Sequence, residues 1–120
     1  MSGFEALVTF LPVSDLEVAD RFYGGALRLV LERDQGVCRI YRVSDSALLG
    51  ICTHIDPTPS RGVITTLVTP DVDGWHRRLA AAGVEMDGPP RQNARFGIYH
   101  FYVDDPDGNR LEVQRFEGEA

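Results

Sequence analysis

Glu112 stands at the centre of Arg110-Leu111-Glu112-Val113-Gln114, which alternates polar and apolar residues as a half-buried strand does. Leu111 and Val113 take one face, and Arg110, Glu112 and Gln114 take the other. A carboxylate in mid-strand, opposite the packed face, is either solvated or part of a site. The preceding strand, Ile98–Val103, sets His100 and Tyr102 opposite Phe101 and Val103, and an earlier one, Ala47–Ile55, carries Gly50, Cys52 and His54 on one face. Cysteine, histidine and glutamate are good metal donors, and three of them can hold zinc. The same groups also suit proton transfer: an imidazole titrates near neutrality, and the Tyr102 phenol can donate as a general acid. The residues with chemistry to offer are therefore Cys52, His54, His100, Tyr102, Glu112 and Gln114, with Glu112 as the metal candidate.

The elements that must position them form a repeat. In the first half, strand LVTFLPV passes Ser14-Asp15, where Ser14 or Asp15 suits a helix N-cap, into a helix that Gly24-Gly25 would stop. Val18, Ala19, Phe22 and Tyr23 fall on one helical face. From Gly62 the plan recurs: strand VITTLVT, Pro70-Asp71, then a helix carrying Trp75, Leu79 and Ala82 and stopped by Gly83. His76, beside Trp75, is expected on the surface. Each half closes with a strand pair, Arg39–Val43 with Ala47–Ile55 and Ile98–Val103 with Arg110–Phe116. The second pair turns through Asp104-Asp105-Pro106-Asp107-Gly108-Asn109, where Pro106 presets φ and Gly108 or Asn109 supplies a positive φ.

The reading is a single α+β domain over 1–120, with module one at 4–55 and module two at 62–116. The breaker-rich linker 56–61 joins them. Neither half, at roughly 60 residues, buries a full core alone, so the sheets are expected to join or pair.

Composition excludes several function classes. The apolar fraction of 43% supports a real core, and the net charge of −6 disfavours nucleic acid. All twelve cationic residues are arginine, which removes Schiff-base lysines and phosphate-loop lysines. No apolar run approaches the roughly 18 residues of a membrane helix, and no leader pattern opens the chain, so a cytoplasmic protein without membrane contact is expected. Cys38 and Cys52 lack C-x-x-C spacing and are expected to be reduced, structural thiols. The polar loop Asp87–Gly97 leads into the strand of His100 and suits a lid, with Arg91 or Arg95 reaching an anionic group.

LPVSDLEVADRFYGGALRLV and FYVDDPDGNRLEVQRF resemble the opening strand-helix and closing hairpin of the vicinal oxygen chelate superfamily. That group holds glyoxalase I, bleomycin resistance proteins, fosfomycin resistance enzymes and extradiol dioxygenases. The resemblance covers about Phe4 to Phe116. It implies two βαβββ modules forming a curved mixed sheet around a cavity, helices on the outer face, and a homodimer. It also implies four metal-ligand positions, on the first and last strand of each module. Glu112 matches the last; the internal repeat places the others at Gly50 and near Val8 and Ile64. Three of those four offer no donor atom, so no cofactor is expected. The resemblance then implies a small-molecule-binding protein similar to the bleomycin resistance branch. The alternative is a metal-dependent lyase, isomerase or dioxygenase that combines Glu112 with Cys52, His54 or His100. Catalytic candidates are Tyr102, Glu112 and His100. The spacing from Tyr102 to Glu112 resembles that of an active-site tyrosine in extradiol dioxygenases. Ligand-binding candidates are Phe10, Arg42, Cys52, His54, His100, Tyr102, Gln114 and Arg95, with Phe10 as a flat apolar wall.

Overall fold

Two runs of sequence with the same order of elements fold into two sheets with the same order of strands. The computed structural model describes residues 3–56 and 62–117. The chain divides into two compact units, 1–59 and 60–120. Apart from Asp56, the linker expected over 56–61 lies outside the described residues.

The first unit runs β1 (Leu7–Pro12), α1 (Leu16–Asp20), a π-helical turn (Arg21–Ala26), β2 (Val30–Asp34), β3 (Cys38–Ser44) and β4 (Ala47–Cys52), in the sheet order β1-β4-β3-β2. β1 lies parallel to β4 at the sheet edge. Pro12 is tolerated there because an edge strand needs ladder donors on one side only. Asp15 caps α1, its carboxylate accepting from the Glu17 and Val18 amides at 2.9 and 3.1 Å. Of the two residues suited to the cap, Asp15 fills it. Gly24-Gly25 do not stop the helix, which continues through them to Ala26. A side chain at Gly24 would press on the Asp20 carboxylate, so this glycine is needed for close packing. Ala19, Phe22 and Tyr23 are buried as expected, whereas Val18 is exposed.

The second unit runs β5 (Thr65–Val68), α2 (Val72–Ala81), β6 (Arg91–Asn93), β7 (Ile98–Asp104) and β8 (Arg110–Phe116), in the order β5-β8-β7-β6. α2 starts at Asp71, whose carboxylate accepts from the Gly74 amide at 3.1 Å. Leu79 and Val72 are buried, Trp75 is half-buried and Ala82 is exposed. His76 is not plain surface: its Nε2 bonds the Gly88 carbonyl at 2.9 Å and its ring stands edge-on to Phe101 at 5.0 Å. The expected lid loop contains β6, which pairs with β7.

One face of each sheet packs apolar side chains; the other is buried in part and carries the polar groups and the cysteines. Tyr41, Leu49 and Ile51 are buried on one side of the first sheet; Phe101, Val103, Leu111 and Val113 do the same in the second, where α2 packs on β7 and β8. Burying each such side chain contributes about 1.5–3 kcal/mol. The opposite faces carry the residues with chemistry. Among the described residues no helix is long and apolar enough to cross a membrane.

Candidate functional site

Strand pairing converges three side chains on Glu112. Thr66 of β5 lies beside it in the parallel ladder and Tyr102 of β7 in the antiparallel one, while His100 faces Gln114 one step along. Such cross-strand and diagonal neighbours are within side-chain reach. Thr66 Oγ1 donates to Glu112 Oε1 at 3.0 Å, and His100 Nδ1 bonds Oε2 at 2.7 Å. Glu112 is 8% exposed and His100 6%. An ionised carboxylate only accepts, so in this pairing the proton sits on His100 Nδ1 and the Nε2 edge of the ring is turned away from Glu112. The His100 ring stands edge-on to Tyr102 at 5.2 Å.

The turn that aims Glu112 is anchored by two buried polar side chains, Asp105 and Asn109. Asp105 accepts from the Asp107 and Asn109 amides at 2.9 and 2.8 Å and from Asn109 Nδ2 at 2.8 Å, and Gly108 takes the positive φ of 86° that the sequence required. The turn fixes where β8 begins; a slip of one residue would turn Glu112 into the packed face.

Arg110 guards the margin of this cluster. Its guanidinium lies 4.9 Å from the Tyr102 ring centre and bonds Asp104 at 3.1 Å, with Asp87 at 3.9 Å. The hydrogen bond to Asp104, helped by the charge of Asp87, raises its pKa further above the ordinary arginine value. A cleft of about 370 Å³ opens here between Glu85, Met86, Asp87, Tyr102, Val103, Asp104 and Arg110. Tyr102 joins the cleft to the cluster; Glu112 and His100 do not line it.

In the first unit the corresponding place is different. Phe10 and Gly50 are paired between β1 and β4 as Thr66 and Glu112 are between β5 and β8. The Phe10 ring covers Gly50 so closely that an added Cβ would meet it at 2.5 Å. Phe10 is 46% exposed and does present a flat apolar surface. Arg42 is spent on local structure, bonding Glu32 and the carbonyls of Ser44 (3.2 Å) and Asp45 (2.7 Å). These bonds brace the hairpin between β3 and β4. Arg95 lies exposed over the Phe96 ring at 5.1 Å.

The cysteines overturn the expectation of reduced thiols. Cys38 and Cys52 are directly opposed on β3 and β4, with Cα atoms 4.2 Å apart, and they are disulfide-bonded. β4 ends at Cys52, so His54 is not on the strand face assigned to it; it sits in an exposed bend, its Nδ1 3.5 Å from Cys38 Sγ. The sequence reading missed Cys38 and Thr66. The two-residue offset between Ile64 and Thr66 was the available signal for the second; for the first there was none without the register of β3.

Of the four positions at which the resemblance implies metal ligands, Val8, Gly50 and Ile64 have no donor, and both oxygens of Glu112 are engaged by Thr66 and His100. These residues do not fit a divalent ion.

A family model for the Glyoxalase/Bleomycin resistance protein/Dioxygenase superfamily matches residues 6–113, and the chain belongs to that superfamily. Solved structures carry the same fold. A putative glyoxalase family protein from Bacillus anthracis aligns with TM-score 0.77 at 20% identity, covering 98% of this chain and 97% of that one. A glyoxalase/bleomycin resistance protein from Albidiferax ferrireducens T118 aligns with TM-score 0.72 at 27% identity, covering 95% and 98%. A glyoxalase/bleomycin resistance protein/dioxygenase from Nocardioides gives TM-score 0.76 at 18% identity, covering 100% and 87%. No curated protein matches the chain.

Proposed function

We propose that the chain is a metal-independent small-molecule-binding protein of its superfamily, whose ligand sits in the cleft beside the Glu112–His100 cluster and contacts Tyr102 and Arg110. The observation that carries this reading is the state of Glu112. Its two oxygens are already bonded inside the protein, so the carboxylate orients His100 and is not an open metal ligand. Tyr102 brings a phenol and an aromatic face from this buried cluster to the neighbouring cleft, and Arg110 beside it offers a cation to an anionic group. The displaced metal set of the alternative has less support, since Cys52 sulfur is held in the disulfide.

Thermal-shift screening of small aromatic and anionic compounds tests the proposal. A hit should persist after chelation with EDTA and weaken at least tenfold in Tyr102→Ala. About one equivalent of tightly held metal that disappears in Glu112→Gln would overturn it and restore the metalloenzyme.

One observation favours a second reading, an enzyme that works by proton transfer. A histidine whose Nδ1 is held by a buried carboxylate at 2.7 Å presents Nε2 as an oriented base. Tyr102, edge-on to the same ring, would serve as the acid. On this reading His100→Gln abolishes turnover of a bound ligand, while binding survives.

We further propose that two chains pair. Exposed Val30 and Leu31 on β2, an edge strand, support it. Light scattering at twice the chain mass is the expected result.

A further inference from the structure

We infer that Cys38, Cys52 and His54 form a redox-gated site for a thiophilic metal ion, of which Zn²⁺ is the representative: open when the cysteines are reduced, closed by their disulfide. The site lies wholly in the first unit and does not depend on the reading of Glu112.

The geometry is specific. The donor atoms of the three residues all lie within 4.8 Å of one another, the only such group of three among the described residues. Zn–S bonds of about 2.3 Å and a Zn–N bond of about 2.0–2.1 Å at tetrahedral angles place donors roughly 3.5–3.8 Å apart. The three donor atoms, within 4.8 Å of one another, already stand close to that spacing. The backbone is already fixed around the cysteines. Gln35 N donates to the Cys38 carbonyl at 2.8 Å, Val13 N to the Cys52 carbonyl at 3.0 Å, and Thr53 N to the Val37 carbonyl at 3.0 Å. Both cysteines are buried, whereas His54 is exposed, so the ion has a route from solvent and one coordination position left for water or another ligand. Two thiolates and an imidazole select soft ions over magnesium or calcium.

The chemistry balances with a dithiol reductant. It delivers two electrons and two protons, the S–S bond breaks, both sulfurs become thiols, and the reductant leaves as its own disulfide. Zn²⁺ then displaces the two thiol protons into solvent and forms two Zn–S bonds and one bond to His54. Reoxidation of the pair by a disulfide of the same class removes both thiolates and releases the ion.

Titration of the full chain with Co²⁺, followed by Zn²⁺ displacement, tests the site. The chain reduced with a phosphine and freed of reductant should take up one equivalent with a thiolate-to-cobalt charge-transfer band that Zn²⁺ abolishes. The oxidised chain should take up none. Cys38→Ala and Cys52→Ala should lose the band, and His54→Ala should weaken binding by about 10–100-fold or more. Glu112→Gln should bind as the parent does. If the cysteine variants fail to fold by circular dichroism, His54→Ala, at an exposed position, carries the test alone. Absence of uptake by the reduced chain, equal uptake by the oxidised one, full affinity in His54→Ala, or loss in Glu112→Gln would each overturn the inference.

Discussion

Glu112 in the second unit and Gly50 in the first occupy the same place in the same topology, on the last strand, between a parallel partner and an antiparallel one. Around Glu112 stand Thr66, Tyr102 and His100, and around Gly50 stand Phe10 and Ile40. One position is a buried hydrogen-bonded carboxylate; the other is a glycine covered by an aromatic ring. The packed faces of the two sheets stay alike while the opposite faces diverge. A repeat keeps its core because both copies must fold, but each copy's other face is free to take its own chemistry.

The largest effects should come from what the units share. Leu49 and Leu111 are equivalent, fully buried core residues. Leu49→Ala and Leu111→Ala should each cost about 2–5 kcal/mol in urea denaturation. A loss below roughly 1 kcal/mol at either site would break the equivalence of the cores.

Next comes a tyrosine–aspartate pair that ties sheet to helix in both units. Tyr41 is fully buried and bonds Asp20; Tyr99 bonds Asp73 at 2.6 Å on the surface. Tyr41→Phe should cost about 1.5–3 kcal/mol, because a charged acceptor loses its donor. Tyr99→Phe should be nearly silent. Burial, with the hydrogen bond to Asp20, raises the Tyr41 pKa above the ordinary tyrosine value of 10.0. The contribution is therefore full below about pH 10 and is lost as pH rises from there toward the higher folded value. Stability measured from pH 9 to 11.5 should fall less steeply in Tyr41→Phe than in the parent.

The divergent position gives smaller responses. His100→Ala leaves a buried carboxylate oxygen without its donor and should cost about 1–3 kcal/mol. Glu112→Gln keeps an acceptor for Thr66 and should cost less than His100→Ala; the reverse order would mean that charge, not hydrogen bonding, holds the cluster. Gly50→Ala drives a methyl group into Phe10 and should cost about 1 kcal/mol, since that half-exposed ring can swing aside. In a Phe10→Ala background the same substitution should be neutral, by thermal denaturation of the single and double variants.

Much of this fold was legible beforehand because it rests on local chemistry: a cap at Ser14 or Asp15, which Asp15 fills, a positive φ at Gly108 or Asn109, which Gly108 takes, and the alternation of Leu111, Glu112 and Val113. The missed strands were those without such a signal. β2 is exposed along its length and β6 has three residues, so neither alternates in a readable way. The helix expected to end at Gly24-Gly25 ran on because packing against Tyr41 and Asp20 outweighed the local cost of glycine.

The sequence by itself determined the α+β repeat, the face that Glu112 shares with His100, Tyr102 and Gln114, and the absence of donors at Val8, Gly50 and Ile64. Period-two alternation and residue type are properties of the chain alone. Only the tertiary structure decided which partners meet across strands: Thr66 with Glu112, Phe10 with Gly50, and Cys38 with Cys52. The last pair depends on an irregularity between Arg42 and Ser44; counted straight out from the Ser44–Ala47 pair, Cys38 would instead oppose Thr53. Register is fixed by bulges and by the burial of one face, which are sums over the whole sheet, and no single segment carries them.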